Sequence, residues 1–332
     1  MKSWISFLDH TPASMGDLLT LAQRIKRGET DEHRKALAGK TLVMVFFNPS
    51  LRTRTSFEAA MARAGGHAIC LSVGGDAWMI ETRDGVKMDG ACAEHIREAA
   101  PVLGRYGDFV AVRTFAGMKD AAEDARDGVI RAFEQLTRKP VINMESASEH
   151  PCQGLADWMT MREKLSETRG RRFVLSWAPH IKPLPMAVPH SALMAAAAAG
   201  MEITIAHPAG YGLNPKFVEA ASQWSRAAGG SVRVASNQDA CRDADIVYAK
   251  SWGAVRHYGD ATSQQAEMTT LADWMVTPAQ LGASTQLMHC LPVRRDVEVA
   301  ASALDDPRCI VVDQAENRLW AQLAILTRLT GR

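Results

Sequence analysis

The sequence predicts an α/β protein of two doubly wound parallel-sheet domains, and three observations carry that expectation. Short apolar runs of strand length alternate with helix-length amphipathic segments along the whole chain. Most of these runs are apolar at nearly every position, as strands covered on both faces must be. Reactive side chains gather just after the runs, at the carboxyl ends of the expected strands, where open parallel sheets bind ligands.

In chain order, a helical pattern over 13–27 comes first. Four strand-like runs follow: TLVMVFF (41–47), HAICLSV (67–73), DFVAVRT (108–114) and PVINM (140–144). A second series holds six: RFVLSWA (172–178), MEITIAH (201–207), SVRVA (231–235), DIVYAK (245–250), TQLMHC (285–290) and CIVVD (309–313). Helical patterns over 56–64, 94–106, 153–165 and 187–200 lie between runs. A last one over 314–329 is long enough to return to the first domain. The expected division is therefore 1–147, 148–312 and a C-terminal helix within 313–332.

Composition narrows the function. Among 332 residues, 38 Lys and Arg balance 37 Asp and Glu, and the net charge of +1 shows no block of either sign. Nucleic acid and anionic membranes are poor partners for such a chain. Its six cysteines, Cys70, Cys92, Cys152, Cys241, Cys290 and Cys309, form no C-x-x-C pair, which fits a reduced cytoplasmic protein without structural zinc. The N-terminal stretch MKSWISFLDH reads as too polar for a secretory signal, and the alanine-rich run over 191–201 is far short of the ~20 residues that span a bilayer.

Four motifs carry chemistry. In FFNPSLRTRTSFE (46–58), the spacing Thr55-Ser56-Phe57-Glu58 matches a capping box. That places Ser50 to Thr53 at a helix N-terminus, where backbone N–H groups and the dipole favour an anion. Arg52 and Arg54 add guanidinium forks suited to phosphate oxygens. No G-x-G-x-x-G follows a strand and no G-x-x-x-x-G-K-[ST] occurs, so the anion belongs to something smaller than a dinucleotide or NTP.

EHPCQGLADW (149–158) puts His150 and Gln153 one turn apart at a helix start, with a donor and an amide suited to a carbamoyl group. By itself this motif also fits simple capping. In MHCLPVRRD (288–296) the Leu-Pro bond favours an extended Leu291, whose carbonyl and that of Cys290 could accept from an amino group. ENRLW (316–320) places Arg318 near the start of the last helix, and Arg113, Glu145, His180 and Lys250 stand at other strand ends.

The succession S-x-R-T-R, H-P-C-Q and H-C-L-P, at these separations, resembles the transcarbamoylase family (aspartate/ornithine carbamoyltransferases) over essentially the whole chain. The resemblance implies a carbamoyl-phosphate domain followed by an amino-substrate domain, a homotrimer with active sites between subunits, and no metal or organic cofactor. Two departures point to the branch acting on α-N-acylated ornithine. Transcarbamoylases for free ornithine carry an Asp-x-x-x-Ser-Met-Gly loop in the second domain where this sequence reads YAKSWGAV (248–255), and Leu51 stands where Thr is usual. DAWMIET (76–82) and WAPHIKPLP (177–185) are similar to that branch as well.

Carried over by position, Ser50, Leu51, Arg52, Thr53, Arg113, His150, Pro151, Cys152, Gln153, Cys290, Leu291 and Arg318 hold carbamoyl phosphate, with Trp78 supplied by a neighbouring subunit. Arg52, Thr53, Arg113, His150 and Gln153 are the catalytic set. Glu145, His180, Lys250, Leu291 and Arg294 are expected to contact the acylornithine. Lys250 would meet its α-carboxylate. Ala93 matches the position that discriminates acyl groups, Glu in the acetyl branch and Pro in the succinyl branch. The implied reaction carbamoylates the δ-amine of N-acetyl-L-ornithine in arginine biosynthesis, with N-succinyl-L-ornithine as alternative acceptor and free ornithine behind both.

Overall fold

A computed structural model describes residues 2–31 and 33–331. The chain divides into two compact units. Unit 1 comprises Met1–Ala116, Ala122–Cys152 and Arg318–Arg332, and unit 2 comprises Gly117–Ala121 and Gln153–Asn317. The divisions at Cys152/Gln153 and Asn317/Arg318 differ from the expected 147/148 and 312/313 because they fall inside helices. Sequence marks turns, whereas a continuous helical ladder carries no composition break where its packing partners change.

Unit 1 is built on a four-stranded parallel sheet of β1 (Thr41–Phe46), β2 (His67–Ser72), β3 (Phe109–Arg113) and β4 (Val141–Glu145), in the order β2-β1-β3-β4. Val43, Val45, Val110 and Val112 bury one face together with Ile130 and Phe133. Around the sheet lie α1 (Pro12–Lys26), opened by a Thr11–Ser14 capping box, α2 (Arg52–Arg63), α3 (Ile96–Tyr106) and α4 (Gly128–Thr137). Gly104 lets α3 approach the end of α4, since a Cβ there would lie 2.3 Å from the Thr137 carbonyl oxygen. A separate two-stranded ladder pairs Ile80–Glu81 with Glu94–His95.

Unit 2 holds a five-stranded parallel sheet of β5 (Arg172–Trp177), β6 (Glu202–Ala206), β7 (Ser231–Ala235), β8 (Ile246–Lys250) and β9 (Gln286–Met288), in the order β9-β8-β5-β6-β7. Helix α5 (Pro151–Leu165) precedes it. Helix α6 (Ala187–Ala198) is buried at every position from Ala187 to Ala197, which explains an alanine-rich segment without a polar face. The unit also contains α7 (Pro215–Ala227) and α8 (Ala261–Thr270).

The expected sixth strand, 309–313, is not formed. Cys309 makes one isolated bridge to Leu287, and α9 (Val311–Leu329) begins two residues later. A short apolar run at a helix start reads like a buried strand, because periodicity cannot separate the two at that length. Among the described residues, no helix is long and apolar enough to cross a membrane.

Each sheet reverses direction once. In unit 1 the chain moves outward from β1 to β2 and then returns to place β3 on the other side. In unit 2 the reversal separates β5 from β8. Such switch points leave a crevice at the carboxyl ends of the two central strands.

Candidate active site

At the unit 1 switch point the residues after β1 and β3 are laced together. Phe47 donates its N–H to the Arg113 carbonyl at 2.9 Å, and the Asn48 side chain accepts from the N–H of Phe115 at 2.8 Å. Helix α2 then begins at Arg52, earlier than the apparent capping box implies. Its N-cap position, Leu51, makes no side-chain cap, and the Ser50 hydroxyl accepts from the N–H of Thr53 at 3.2 Å instead. Thr55 lies within the helix and donates its hydroxyl to the Leu51 carbonyl at 2.8 Å. The box fails because the strand-to-helix turn is tighter than its spacing suggests. Arg54 consequently faces outward and pairs with Glu58 at 3.1 Å, while Thr53 is buried and Arg52 half-buried.

Three further elements bring cations and donors to Thr53. From α9, the buried Arg318 donates Nη2 to the Thr53 hydroxyl at 2.8 Å. Arg113, the last residue of β3, is buried, stacks over the Phe115 ring at 4.5 Å, and donates Nη1 to Glu145 Oε2 at 2.6 Å. His150 is buried just before α5, with Nε2 3.9 Å from that same carboxylate oxygen. Burial holds its pKa well below the ordinary histidine value, and the fields of Arg318, Arg113 and Arg52 push the same way. The imidazole is thus a neutral donor among three guanidinium groups. Such a cluster is chemically complete for a small dianion bearing a polarisable carbonyl.

Some expected contacts lie outside this cluster. Leu51 is 77% exposed. Trp78 is 63% exposed and its indole N–H donates to Glu94 at 2.8 Å. Ala93 is also exposed, its N–H bonded to the Met79 carbonyl at 3.1 Å. Cys152 is a packed core residue; burial pushes its thiol up to about 12, so it is no nucleophile.

Unit 2 assembles a different set at its own switch point. The N–H of Ala178 bonds to the Lys250 carbonyl at 3.0 Å, joining the exits of β5 and β8. Lys250 is buried with its amine 3.9 Å from Glu298 Oε1. His289 Nδ1 accepts the N–H of Leu291 at 2.9 Å, so the ring proton sits on Nε2, which faces Glu298 Oε1 at 3.4 Å. Glu298 Oε2 accepts the N–H of Arg294 at 2.9 Å. Around His180, Arg294 Nε donates to Nε2 at 3.2 Å, the Lys182 N–H donates to Nδ1 at 3.2 Å, and the Lys182 carbonyl lies 2.9 Å from that same Nδ1. Burial lowers the pKa of His180 and keeps this ring neutral.

Leu291 departs from expectation. Its φ is 55°, left-handed rather than extended, and the Leu291–Pro292 bond is cis. The His289 ring, capping the Leu291 N–H, holds a turn tighter than the Leu-Pro preference alone allows. Gln153 is buried in α5, where its amide nitrogen donates to Asp157 Oδ1 at 2.8 Å; Gln314 donates to the same oxygen at 2.7 Å.

The sequence matches two family models in tandem: the carbamoyl-phosphate binding domain of aspartate/ornithine carbamoyltransferases over residues 2–163, and their Asp/Orn binding domain over 186–329. The chain belongs to the aspartate/ornithine carbamoyltransferase family. An N-acetylornithine carbamoyltransferase of Xanthomonas campestris pv. campestris is 40% identical, with 100% of this chain and 98% of that protein covered. An N-succinylornithine carbamoyltransferase of Bacteroides fragilis is also 40% identical, over 87% of each chain. A solved acetylornithine transcarbamylase complexed with acetylcitrulline superposes with a TM-score of 0.94 at 40% identity, covering 100% of both chains. A point mutant of N-acetyl-L-ornithine transcarbamylase, complexed with carbamyl phosphate and N-succinyl-L-norvaline, matches with the same TM-score at 41% identity over 99% of this chain and 100% of that one.

In this carbamoyltransferase's two clusters, sequence reasoning passes over Glu298 and places Asn48 at a strand end without giving it a partner. Glu298 sits in DVEVA, where Val-Glu-Val alternation reads as an outward-facing carboxylate. Its true environment is almost fully buried. Desolvation alone would raise its pKa, but the His289 hydrogen bond and the Lys250 charge bring it down to about 2. Asn48 looks like an ordinary Asn-Pro turn until Phe115 is placed beside it.

Proposed function

We propose that this chain transfers the carbamoyl group of carbamoyl phosphate to the δ-amine of N-acetyl-L-ornithine, giving N-acetyl-L-citrulline and phosphate, as a step of arginine biosynthesis. The observation that carries the reading is the convergence in unit 1 of Arg52, Thr53, Arg113, His150 and Arg318; unit 2 by itself holds the buried Lys250. The full-length likeness to N-acetylornithine carbamoyltransferases supports the choice of acceptor.

In this reading unit 1 binds carbamoyl phosphate. The Ser50–Thr53 turn, Arg52 and Arg318 receive the phosphate. Arg113, the neutral His150 N–H and the Thr53 hydroxyl donate to the carbonyl oxygen, where charge grows as the tetrahedral species forms. Gln153, its amide nitrogen held by Asp157, accepts from the carbamoyl NH₂ through its oxygen. Lys250 meets the α-carboxylate of the acceptor, with His180 and Arg294 beside it and the Cys290 and Leu291 carbonyls taking N–H donors. The attacking amine must be neutral, a state that surrounding positive charge favours. The departing phosphate takes its proton, so no side chain is covalently modified and acceleration comes from positioning and electrostatics.

Succinyl-ornithine is the second reading, and Ala93 favours it. That side chain has neither charge nor bulk to exclude a longer acyl group, and its position is exposed. Trp78, exposed on its loop, is assigned to the site of a neighbouring subunit in a cytoplasmic homotrimer. Carbamoylation assays with acetyl-, succinyl- and unmodified ornithine side by side test the function: the acetyl compound is the expected best acceptor. Transfer to none of them would refute the reading, and light scattering giving a monomer would refute the trimer.

A further inference from the structure

The contact between Glu145 and Arg113 reaches further than an ordinary ion pair. Glu145 is a non-glycine residue with φ of 145°, a conformation that costs energy and persists where the surroundings enforce it. Those surroundings are visible. The β3–β4 register shifts between Val112 and Arg113, so that Arg113 pairs directly with Glu145. The Glu145 N–H is held by Asn143 Oδ1 at 2.9 Å and its carbonyl by the Thr114 N–H at 2.9 Å. Asn143, in turn, is fully buried and anchored to the Ile5 carbonyl at 2.8 Å and the Ser146 hydroxyl at 3.0 Å.

The product of this distortion is a carboxylate set on one edge of the guanidinium that should receive the carbonyl oxygen of carbamoyl phosphate. Arg113 Nη1 is occupied by Glu145 Oε2 at 2.6 Å, while its buried Nε has no hydrogen-bond partner among the described residues. Both side chains are nearly buried, at 11% and 13% exposure, so solvent screens the pair little. An incoming dianion brings more negative charge to a guanidinium already neutralised by a fixed carboxylate. Both cannot occupy it without strong like-charge repulsion.

Resting on the carbamoyl-transfer reading above, we propose that Glu145 is a built-in competitor for the anion site. It neutralises Arg113 in the empty protein and gives up that contact when carbamoyl phosphate binds, which turns its carboxylate to the N–H groups of the acceptor. The strained backbone then serves to aim one carboxylate at two successive partners. Removing it has opposite effects on the two substrates, which a merely structural residue would not produce.

Calorimetric titration of inorganic phosphate and carbamoyl phosphate into wild-type, Glu145→Gln and Glu145→Ala protein tests this, with steady-state kinetics alongside. Both variants should bind phosphate more tightly, on the order of tenfold, as expected for loss of one close competing charge pair. Their KM for carbamoyl phosphate should fall while that for the acceptor rises. The alanine variant reads the same quantity if the glutamine variant does not fold. Phosphate binding no tighter than wild type in the folded variants overturns the proposal while leaving the functional reading intact. Wild-type protein that neither binds these anions nor transfers a carbamoyl group overturns the functional reading and this proposal with it.

Discussion

Arg318 donates Nη2 to the hydroxyl of Thr53 at 2.8 Å, linking residues separated by 265 positions in sequence. The planar fork can serve Thr53 and a phosphate oxygen together, whereas an ammonium cannot reproduce that geometry. Arg318→Lys should lower kcat/KM for carbamoyl phosphate by roughly 10²-fold, about 2.7 kcal/mol, with a smaller change in acceptor KM. Steady-state kinetics with each substrate varied checks this, and unchanged kcat/KM would remove Arg318 from the site.

Glu298 holds Lys250, His289 and the Arg294 backbone from a single buried carboxylate. Glu298→Gln keeps the shape and removes the charge, so the acceptor KM should rise about tenfold while carbamoyl phosphate KM stays near wild type. Its pH signature has a definite sign. A carboxyl lowered from 4.5 to about 2 on folding contributes stability present above its unfolded pKa and lost as pH falls through about 2. The contribution is on the order of 3 kcal/mol. Acid unfolding between pH 5 and 2 should therefore be shallower in Glu298→Gln.

Glu149 behaves oppositely. Buried against Ser6 and accepting the Phe7 N–H at 2.9 Å, its carboxyl is pushed up to about 8, with burial the main cause. The folded state keeps a proton that the unfolded chain releases near 4.5. That contribution is complete below pH 4.5 and disappears as pH rises through about 8. Thermal melts should show a Tm that declines from pH 5 to 9 in wild type and declines less in Glu149→Gln.

At Gly104 an added methyl group would strike the Thr137 backbone, which cannot swing aside. Gly104→Ala gains about 1 kcal/mol of helix propensity and loses more to overpacking, for a net destabilisation of roughly 2 kcal/mol. Urea unfolding measures it; a stabilised variant would mean that α3 can move away from α4.

Ala93→Glu introduces a carboxylate where the acyl group is proposed to lie. Activity with succinyl-ornithine should drop by at least about tenfold relative to acetyl-ornithine through like-charge repulsion. An unchanged ratio between the two acceptors would place Ala93 away from the acyl group.

The chain by itself determined the class of fold, nine of the ten expected strands, and the placing of Ser50–Thr53, Arg113, His150 and Arg318 at strand ends and helix starts, because buried parallel strands and strand-end residues are local patterns. Tertiary structure alone decided which charges meet. That Arg54 turns outward to Glu58, that Glu145 faces Arg113, and that Glu298 neutralises Lys250 are outcomes of burial and partner geometry. Electrostatic energy depends on distance and desolvation, and neither is encoded in the spacing of residues along a chain.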